Sequence, residues 1–302
     1  MDFNQPVSHM IHKRYSCRTY QDLLISNSDL AILEDFTAAC QIGPLGNQAR
    51  FNVVAAREGD NPSLKGMGTY GFIKNPTGFI IGVAEEKSGA LEDFGYLMES
   101  ILLRATDIGL GSCWLGGTFA KSRFTPQMNL LDGEIIPAVA SIGYTADLST
   151  WPDHKIRQGA RADSRLPWGK IFYYDNFNNP INSEEAGVYQ EFLDLVRLAP
   201  SASNKQPWRI LKKGRDWHFY LQRTSQYPPP VFNFLLNLAD LQRVDIGIAI
   251  SHFELSSREN ALAGKWIVQP PDIPLPDQHP EYITTWQEDA GYNKQYWITE
   301  FQ

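Results

Sequence analysis

Apolar residues recur three and four positions apart between Glu92 and Ile108, at Phe94, Leu97, Met98, Ile101, Leu102 and Ala105. That spacing puts side chains on one helical face and predicts a helix over Glu92–Ile108. A glycine-marked turn and a strand over Ser112–Leu115 follow. Similar periodicity predicts helices over Ser28–Gln41, with Ser28 as N-cap, and over Glu184–Leu198. Apolar and alternating runs predict strands over Phe51–Ala56, Phe79–Ala84, Ala138–Gly143, Trp208–Lys212 and His218–Gln222. Five prolines between Pro270 and Pro280 predict an extended surface loop.

The pattern occurs twice. Glu92–Trp114 aligns without a gap on Val244–Trp266 at an offset of 152 residues, with identities at Asp93/Asp245, Gly95/Gly247, Leu103/Leu255, Leu110/Leu262 and Trp114/Trp266. The helical periodicity recurs at Ile246, Ala249, Ile250 and Phe253. A second, looser pair joins AACQIGPLGNQARFNVV to VRLAPSASNKQPWRILK, matching Asn47 with Asn204 and Phe51 with Trp208. Two matches in the same order and at nearly the same offset point to internal duplication. The first half runs from about Met1 to Asp147 and the second from about Ile181. A Pro/Trp/Arg-rich segment, Trp151–Trp168, leaves the first half, so the domains are drawn at 1–170 and 171–302.

Composition narrows the classes. Apolar residues at 43% and charged residues at 20% suit a soluble globular chain, and a net charge of −7 without a basic stripe argues against nucleic acid. The apolar runs are too short to cross a bilayer, and the N-terminus lacks the apolar core of a secretion signal. Three scattered cysteines, Cys17, Cys40 and Cys113, fit a reducing, cytoplasmic setting. The spacing of the histidines and cysteines gives no metal motif.

Three stretches are candidates for chemistry. Arg14 and Arg18 flank Ser16 and suit convergence on one phosphate, although a solvated basic turn has the same composition. The loop Ala199–Trp208 concentrates small and amide residues between a helix and a strand, where a planar ring can approach the backbone. Gly109–Gly117 runs from helix into strand, the reverse of the dinucleotide fingerprint, and its Gly116-Gly117 end can leave backbone N–H groups for a ligand.

These stretches together resemble the nitroreductase family. Arg14-Tyr15-Ser16-Cys17-Arg18 is similar to the family's arginine–serine–arginine opening. APSASNKQPW is similar to its proline–serine–asparagine–glutamine–proline–tryptophan loop. Asp93–Gly117 resembles its central helix and glycine-rich flavin strand, and Ser164-Arg165-Leu166-Pro167 its late phosphate segment. The resemblance implies an α+β fold of three α/β/α layers, written twice and packed as an intramolecular pseudo-dimer, as in the single-chain branch of the family. It implies one FMN between the halves. The first half supplies Arg14, Tyr15, Ser16, Arg18, Cys113, Trp114, Leu115, Gly116, Gly117, Arg165 and, more weakly, Arg161. The second supplies Pro200, Ser201, Ala202 and Asn204. Complementary losses, a degenerate Pro44-Leu45-Gly46-Asn47 loop in one half and no arginine–serine opening in the other, leave one complete site. Asp163 stands where the family usually has Lys, and it is expected to turn outward or to pair with Arg161.

By the same resemblance, NAD(P)H is the reductant and a small flat molecule such as a nitroaromatic or a quinone is the acceptor, with flavin rather than a side chain carrying the chemistry. Tyr227–Phe232, stiff with three prolines, suits a cap over the open ring face or a rigid surface connector. A monomer suffices, since the dimer-like interface is internal. Two other readings stay open: an FMN-binding protein for storage, sensing or flavin processing without turnover, and a nonredox protein that kept only the fold.

Overall fold

The computed structural model describes residues 3–57, 64, 71–117, 119–146, 157–159, 161–225, 227 and 238–289. The chain is α+β. In the first half α1 (Val7–Lys13) and α2 (Asn27–Ala39) precede β1 (Ala49–Ala55) and β2 (Gly78–Glu85). Then come α3 (Ala90–Asp107), β3 (Gly111–Leu115), α4 (Lys121–Phe124), β4 (Glu134–Ile135) and β5 (Val139–Gly143). The second half contains β6 (Phe172–Tyr174), α5 (Gln190–Arg197), β7 (Trp208–Lys213), β8 (Asp216–Leu221), α6 (Leu241–Glu259), β9 (Gly264–Ile267) and β10 (Glu281–Glu288).

The two sheets repeat one topology. The first has the order β1-β2-β5-β3, all antiparallel, with β4 added on β2; the second has β7-β8-β10-β9, again antiparallel. In each, a long helix separates the second strand from the third. The second sheet's addition is β6, which pairs parallel with β7 at the sheet edge. The tandem duplication is thus visible as two equivalent sheets joined through their long helices.

Those helices, α3 and α6, form the most extensive contact between elements. Sixteen of the 18 residues of α3 are buried, so its apolar face is wrapped by a second buried surface. The helices approach closely because each has glycine at the crossing. A Cβ on Gly95 would lie 2.2 Å from the Val244 carbonyl oxygen, and one on Gly247 would lie 2.0 Å from the Glu92 carbonyl oxygen. These two contacts exchange under the 152-residue offset, so the crossing has a pseudo-two-fold axis. One hydrophobic cluster runs through both halves, from Leu33 and Phe94 to Phe219 and Trp286. A second, around Phe79, Cys113 and Phe124, fills the other face of the first sheet beneath α4.

Several boundaries differ from the sequence expectation. The cap of α2 is Ser26, whose hydroxyl accepts from Asp29 N–H at 3.1 Å, so Ser28 lies inside the helix. The helix expected from Glu184 starts only at Gln190, because Gly187 adopts a left-handed φ of +53° and a 3₁₀ turn intervenes. The proline-rich stretch from Pro270 to Pro280 forms neither helix nor strand. Of Trp151–Trp168, residues 151–156 and 160 lie outside the described residues, as do all of Tyr227–Phe232 except Tyr227.

Candidate functional site

The arginine–serine opening is laid along the glycine strand. After α1 the backbone turns extended at Arg14, and Cys17 N–H donates to the Ser112 carbonyl at 2.9 Å, so Ser16 bridges β3 in parallel. Arg14 then reaches inward. Its Nε lies 3.3 Å from Oε1 of Glu99 in α3, and the two side chains are 6% and 0% exposed. Its Nη1 is buried without a hydrogen-bond partner. Arg18 Nη1 donates to the Ser16 carbonyl at 3.2 Å.

The late basic segment is held from both sides. Arg165 Nη1 donates to the carbonyls of Ala162 and Ser164, both at 2.8 Å, and Nη2 to the Leu198 carbonyl at 3.3 Å. Its Nε is buried and unpartnered. Burial, joined by repulsion from Arg14, Arg197 and Arg157, lowers the Arg165 pKa. Asp163 does turn outward, with its carboxylate 80% exposed, but its partner is Arg157 and not Arg161. Arg157 in turn lies over the Tyr15 ring, 5.5 Å from the centroid.

The loop from the second half closes on this segment. Ser203, Asn204 and Gln206 all adopt left-handed φ, at +50°, +53° and +50°. Non-glycine residues hold that conformation at about 1 kcal/mol or more each, so hydrogen bonds must fix it. Asn204 Nδ2 donates to the carbonyls of Arg161 (2.7 Å) and Ser164 (3.0 Å). Gln206 accepts from Leu166 N–H at 2.9 Å, and its own N–H donates to Ser201 Oγ at 2.9 Å. Beneath the loop, Ala202 N–H donates to Asp245 Oδ1 at 2.9 Å, while the second oxygen of that buried carboxyl has no partner.

The result is one cavity of about 310 Å³ between the halves, within the ~300–1,000 Å³ range of small-molecule sites. Arg14, Tyr15, Ser16, Arg18, Arg165, Pro200, Ser201 and Asn204 line it. So do His12, Arg157 and Ser203, which sequence reading did not carry as site residues. Arg157 falls in a stretch that read as a connector, and only the run of basic residues around it was a signal. The remaining candidates stand outside this lining. Arg161 contributes a backbone carbonyl to Asn204, and Ala202 a backbone N–H to Asp245. Cys113 and Leu115 point into the apolar cluster behind the sheet. Trp114 turns to the opposite face, where Nε1 donates to Glu99 Oε2 at 2.7 Å. Gly116 and Gly117 lie against the second half: a Cβ there would come within 2.7 Å of Leu241 and 3.2 Å of Leu238.

Chemically the arrangement suits an oxyanion. Several cations converge on one cavity, and two of their N–H donors, Arg14 Nη1 and Arg165 Nε, are buried without partners. Both atoms are closed off even from the cavity, so an anion there is met by the positive charge of Arg14, Arg18, Arg157 and Arg165.

Comparisons with known proteins point to one family. The family described as "Putative TM nitroreductase" matches residues 7–257. A "Putative NADH dehydrogenase/NAD(P)H nitroreductase" of Archaeoglobus fulgidus is 30% identical over 152 residues, spanning 46% of this chain and 84% of that protein. The crystal structure of a putative nitroreductase from Thermotoga maritima superimposes with a TM-score of 0.59 at 17% identity, covering 95% of each chain, a likeness of fold. A putative nitroreductase of Desulfovibrio desulfuricans, solved in complex with FMN, covers 51% of this chain and 95% of its own at 23% identity and a TM-score of 0.38.

Proposed function

The chain belongs to the putative TM nitroreductase family, and from that premise we propose that it is an FMN-dependent oxidoreductase that uses NAD(P)H to reduce a flat acceptor such as a nitroaromatic or a quinone. One observation carries this reading: arginines from the front of the chain and from the late basic segment share a cavity with the small-residue loop from the second half.

In this reading Arg14, Ser16, Arg18 and Arg165 hold the phosphate and ribityl chain. Arg161 contributes by anchoring Asn204 through its carbonyl. Pro200, Ser201, Ala202 and Asn204 form the wall against the ring, and their small side chains allow close approach. The N–H groups of Leu115 and Gly116 stabilise charge that develops on a reduced ring. Bound FMN supplies the hydride and electron transfer, while the protein orients it and excludes water. No helix among the described residues is long and apolar enough to cross a membrane, and the acceptor is a small molecule.

The test is an absorbance spectrum of the purified chain, followed by anaerobic addition of NADH or NADPH. The expected result is a flavin spectrum that bleaches with either nucleotide and returns on adding a nitroaromatic or quinone. A colourless protein that does not take up FMN rejects the reading. A yellow protein that neither nucleotide reduces leaves binding and rejects turnover.

A further inference from the structure

The pseudo-two-fold axis through α3 and α6 pairs each contact at the crossing with a mate. Gly95–Val244 and Gly247–Glu92 obey it. Deeper in the crossing it is broken. Glu99 Oε1 faces His252 Nε2 at 3.1 Å, and the mate of this contact is Ser100 Oγ against Ser251 Oγ at 3.2 Å. The same helix packing is therefore made with a carboxylate and an imidazole on one side and with two hydroxyls on the other.

Packing does not require the charged version, because the serine version serves equally at the equivalent place. The neighbouring indole does not require it either. Trp114 Nε1 donates to Glu99, but its equivalent, Trp266, donates to Glu254 Oε2 at 2.8 Å, and Glu254 pairs with the exposed Arg258 near the surface. An indole acceptor is thus available from an acid whose counter-ion, Arg258, stands in solvent rather than in the cavity wall. Glu99 is fully buried, a position that costs several kcal/mol unless the charge is compensated. Burial alone raises its pKa; Arg14, His252 and the Trp114 N–H outweigh burial and hold it below the usual carboxylate value.

Glu99 links the cavity wall to the helix that leads into the second-half loop. On one side it holds Nε of Arg14, which lines the cavity. On the other, it lies 3.1 Å from His252 Nε2, while His252 Nδ1 donates to the Leu195 carbonyl at 2.9 Å, in the last turn of the helix that leads into the 199–208 loop. We infer that Glu99 and His252 are positioning residues: they fix the Arg14 guanidinium for a phosphate and couple it to the loop from the other half. This rests on the FMN reading above, to which it adds the device that orients the phosphate-binding arginine.

The experiment compares FMN with riboflavin, which lacks the phosphate, by flavin fluorescence titration of the full chain freed of bound flavin. Glu99→Gln weakens FMN about tenfold, the loss of roughly one charge-assisted hydrogen bond, and leaves riboflavin unchanged. Arg14→Ala produces at least that loss, and Glu99→Gln adds nothing on the Arg14→Ala background. His252→Gln provides a second variant should Glu99→Gln fail to fold by circular dichroism; its FMN-to-riboflavin ratio falls in the same direction. Equal losses for both flavins, or a Glu99→Gln effect that persists without Arg14, overturn the inference. A wild-type chain that prefers FMN, with a ratio neither variant changes, overturns it alone; a wild type that binds neither flavin removes the FMN reading as well.

Discussion

The two equivalent loops of this molecule, one per half, begin from the same device and end in opposite arrangements. In the first, Asp93 accepts from Leu45 N–H (2.8 Å) with one oxygen, and from the N–H (2.8 Å) and side-chain amide (2.9 Å) of Asn47 with the other. Asn47 folds inward and the loop closes on itself. In the second, Asp245 holds Ala202 N–H in the way Asp93 holds Leu45, but its other oxygen is unpartnered. Asn204 turns away to the carbonyls of Arg161 and Ser164. What differs is the neighbour: the late basic segment stands only beside the second loop. An asparagine with two carbonyls in reach serves as a clasp between halves, whereas one without them satisfies its own helix. One late segment therefore gives one such clasp, although the fold is written twice.

The strongest way to break this asymmetry is at the helix crossing. Glu99→Ala leaves the Arg14 guanidinium buried without its counter-charge, and destabilisation of about 3–5 kcal/mol is expected. Ser100→Ala, on the mate contact, removes one neutral hydrogen bond and costs about 1 kcal/mol or less. Urea unfolding midpoints of the two variants provide the comparison. Similar shifts for both would mean that the halves are energetically alike at the axis.

The two aspartates separate the loops themselves. Burial pushes the Asp245 carboxyl well above the carboxylate range, Asp240 adds to this, and the Ala202 N–H opposes it only in part. Burial thus disfavours the charged form, and Asp245→Asn, an uncharged side chain of the same shape that still accepts from the Ala202 N–H, is expected to shift stability by no more than about 0.5 kcal/mol. Asp93→Asn places an amide where two donors from Asn47 converge, at a cost of about 1–3 kcal/mol. That cost has a pH dependence. Burial raises the Asp93 pKa from 3.8 to about 6 against the hydrogen bonds from Leu45 and Asn47. Between these values the folded state keeps a proton that the unfolded chain has lost, so this group's contribution to stability falls as pH rises and levels off above about 6. The cost of Asp93→Asn is therefore larger near pH 4 than near pH 7. Thermal melts across that interval check the sign.

Sequence reading recovered what periodicity and motif spacing encode. The 152-residue offset located the α3 and α6 crossing because buried helices repeat their apolar positions faithfully, and the opening and the loop were legible as strings of unusual residues. The losses have physical causes. Helix α1 is only seven residues long, too short to develop a clear period. Strand β10 carries Thr284, Thr285 and Gln287 among its apolar positions, which masks the alternation. Glu99 and His252 sit inside helices whose pattern reads as core, and a polar residue there has no motif. Comparing the halves was the available signal, because Glu99-Ser100 aligns with Ser251-His252. Cys113 and Trp114 were expected at the site with their strand; strand alternation sends their side chains to opposite faces of the sheet, and neither lines the cavity around Arg14 and Asn204.

The smallest expected effect lies at Asp163, where a carboxylate stands among the cavity's arginines. Its pair with Arg157 is exposed on the acid side, and such pairs contribute about 0–1 kcal/mol, so Asp163→Asn leaves the unfolding midpoint nearly unchanged. Its effect on binding has a definite sign. Removing the carboxylate makes the cavity more positive and frees Arg157, which raises FMN affinity about two- to threefold, equivalent to ~0.5 kcal/mol at the ordinary strength of exposed charges. Riboflavin affinity stays constant, and the FMN gain shrinks at high salt as the Debye length contracts to ~3 Å at 1 M. A fall in FMN affinity would carry a different lesson. It would mean that Asp163 is needed to hold Arg157 over Tyr15, and that the departure from lysine is part of how the first half's side of the cavity is built.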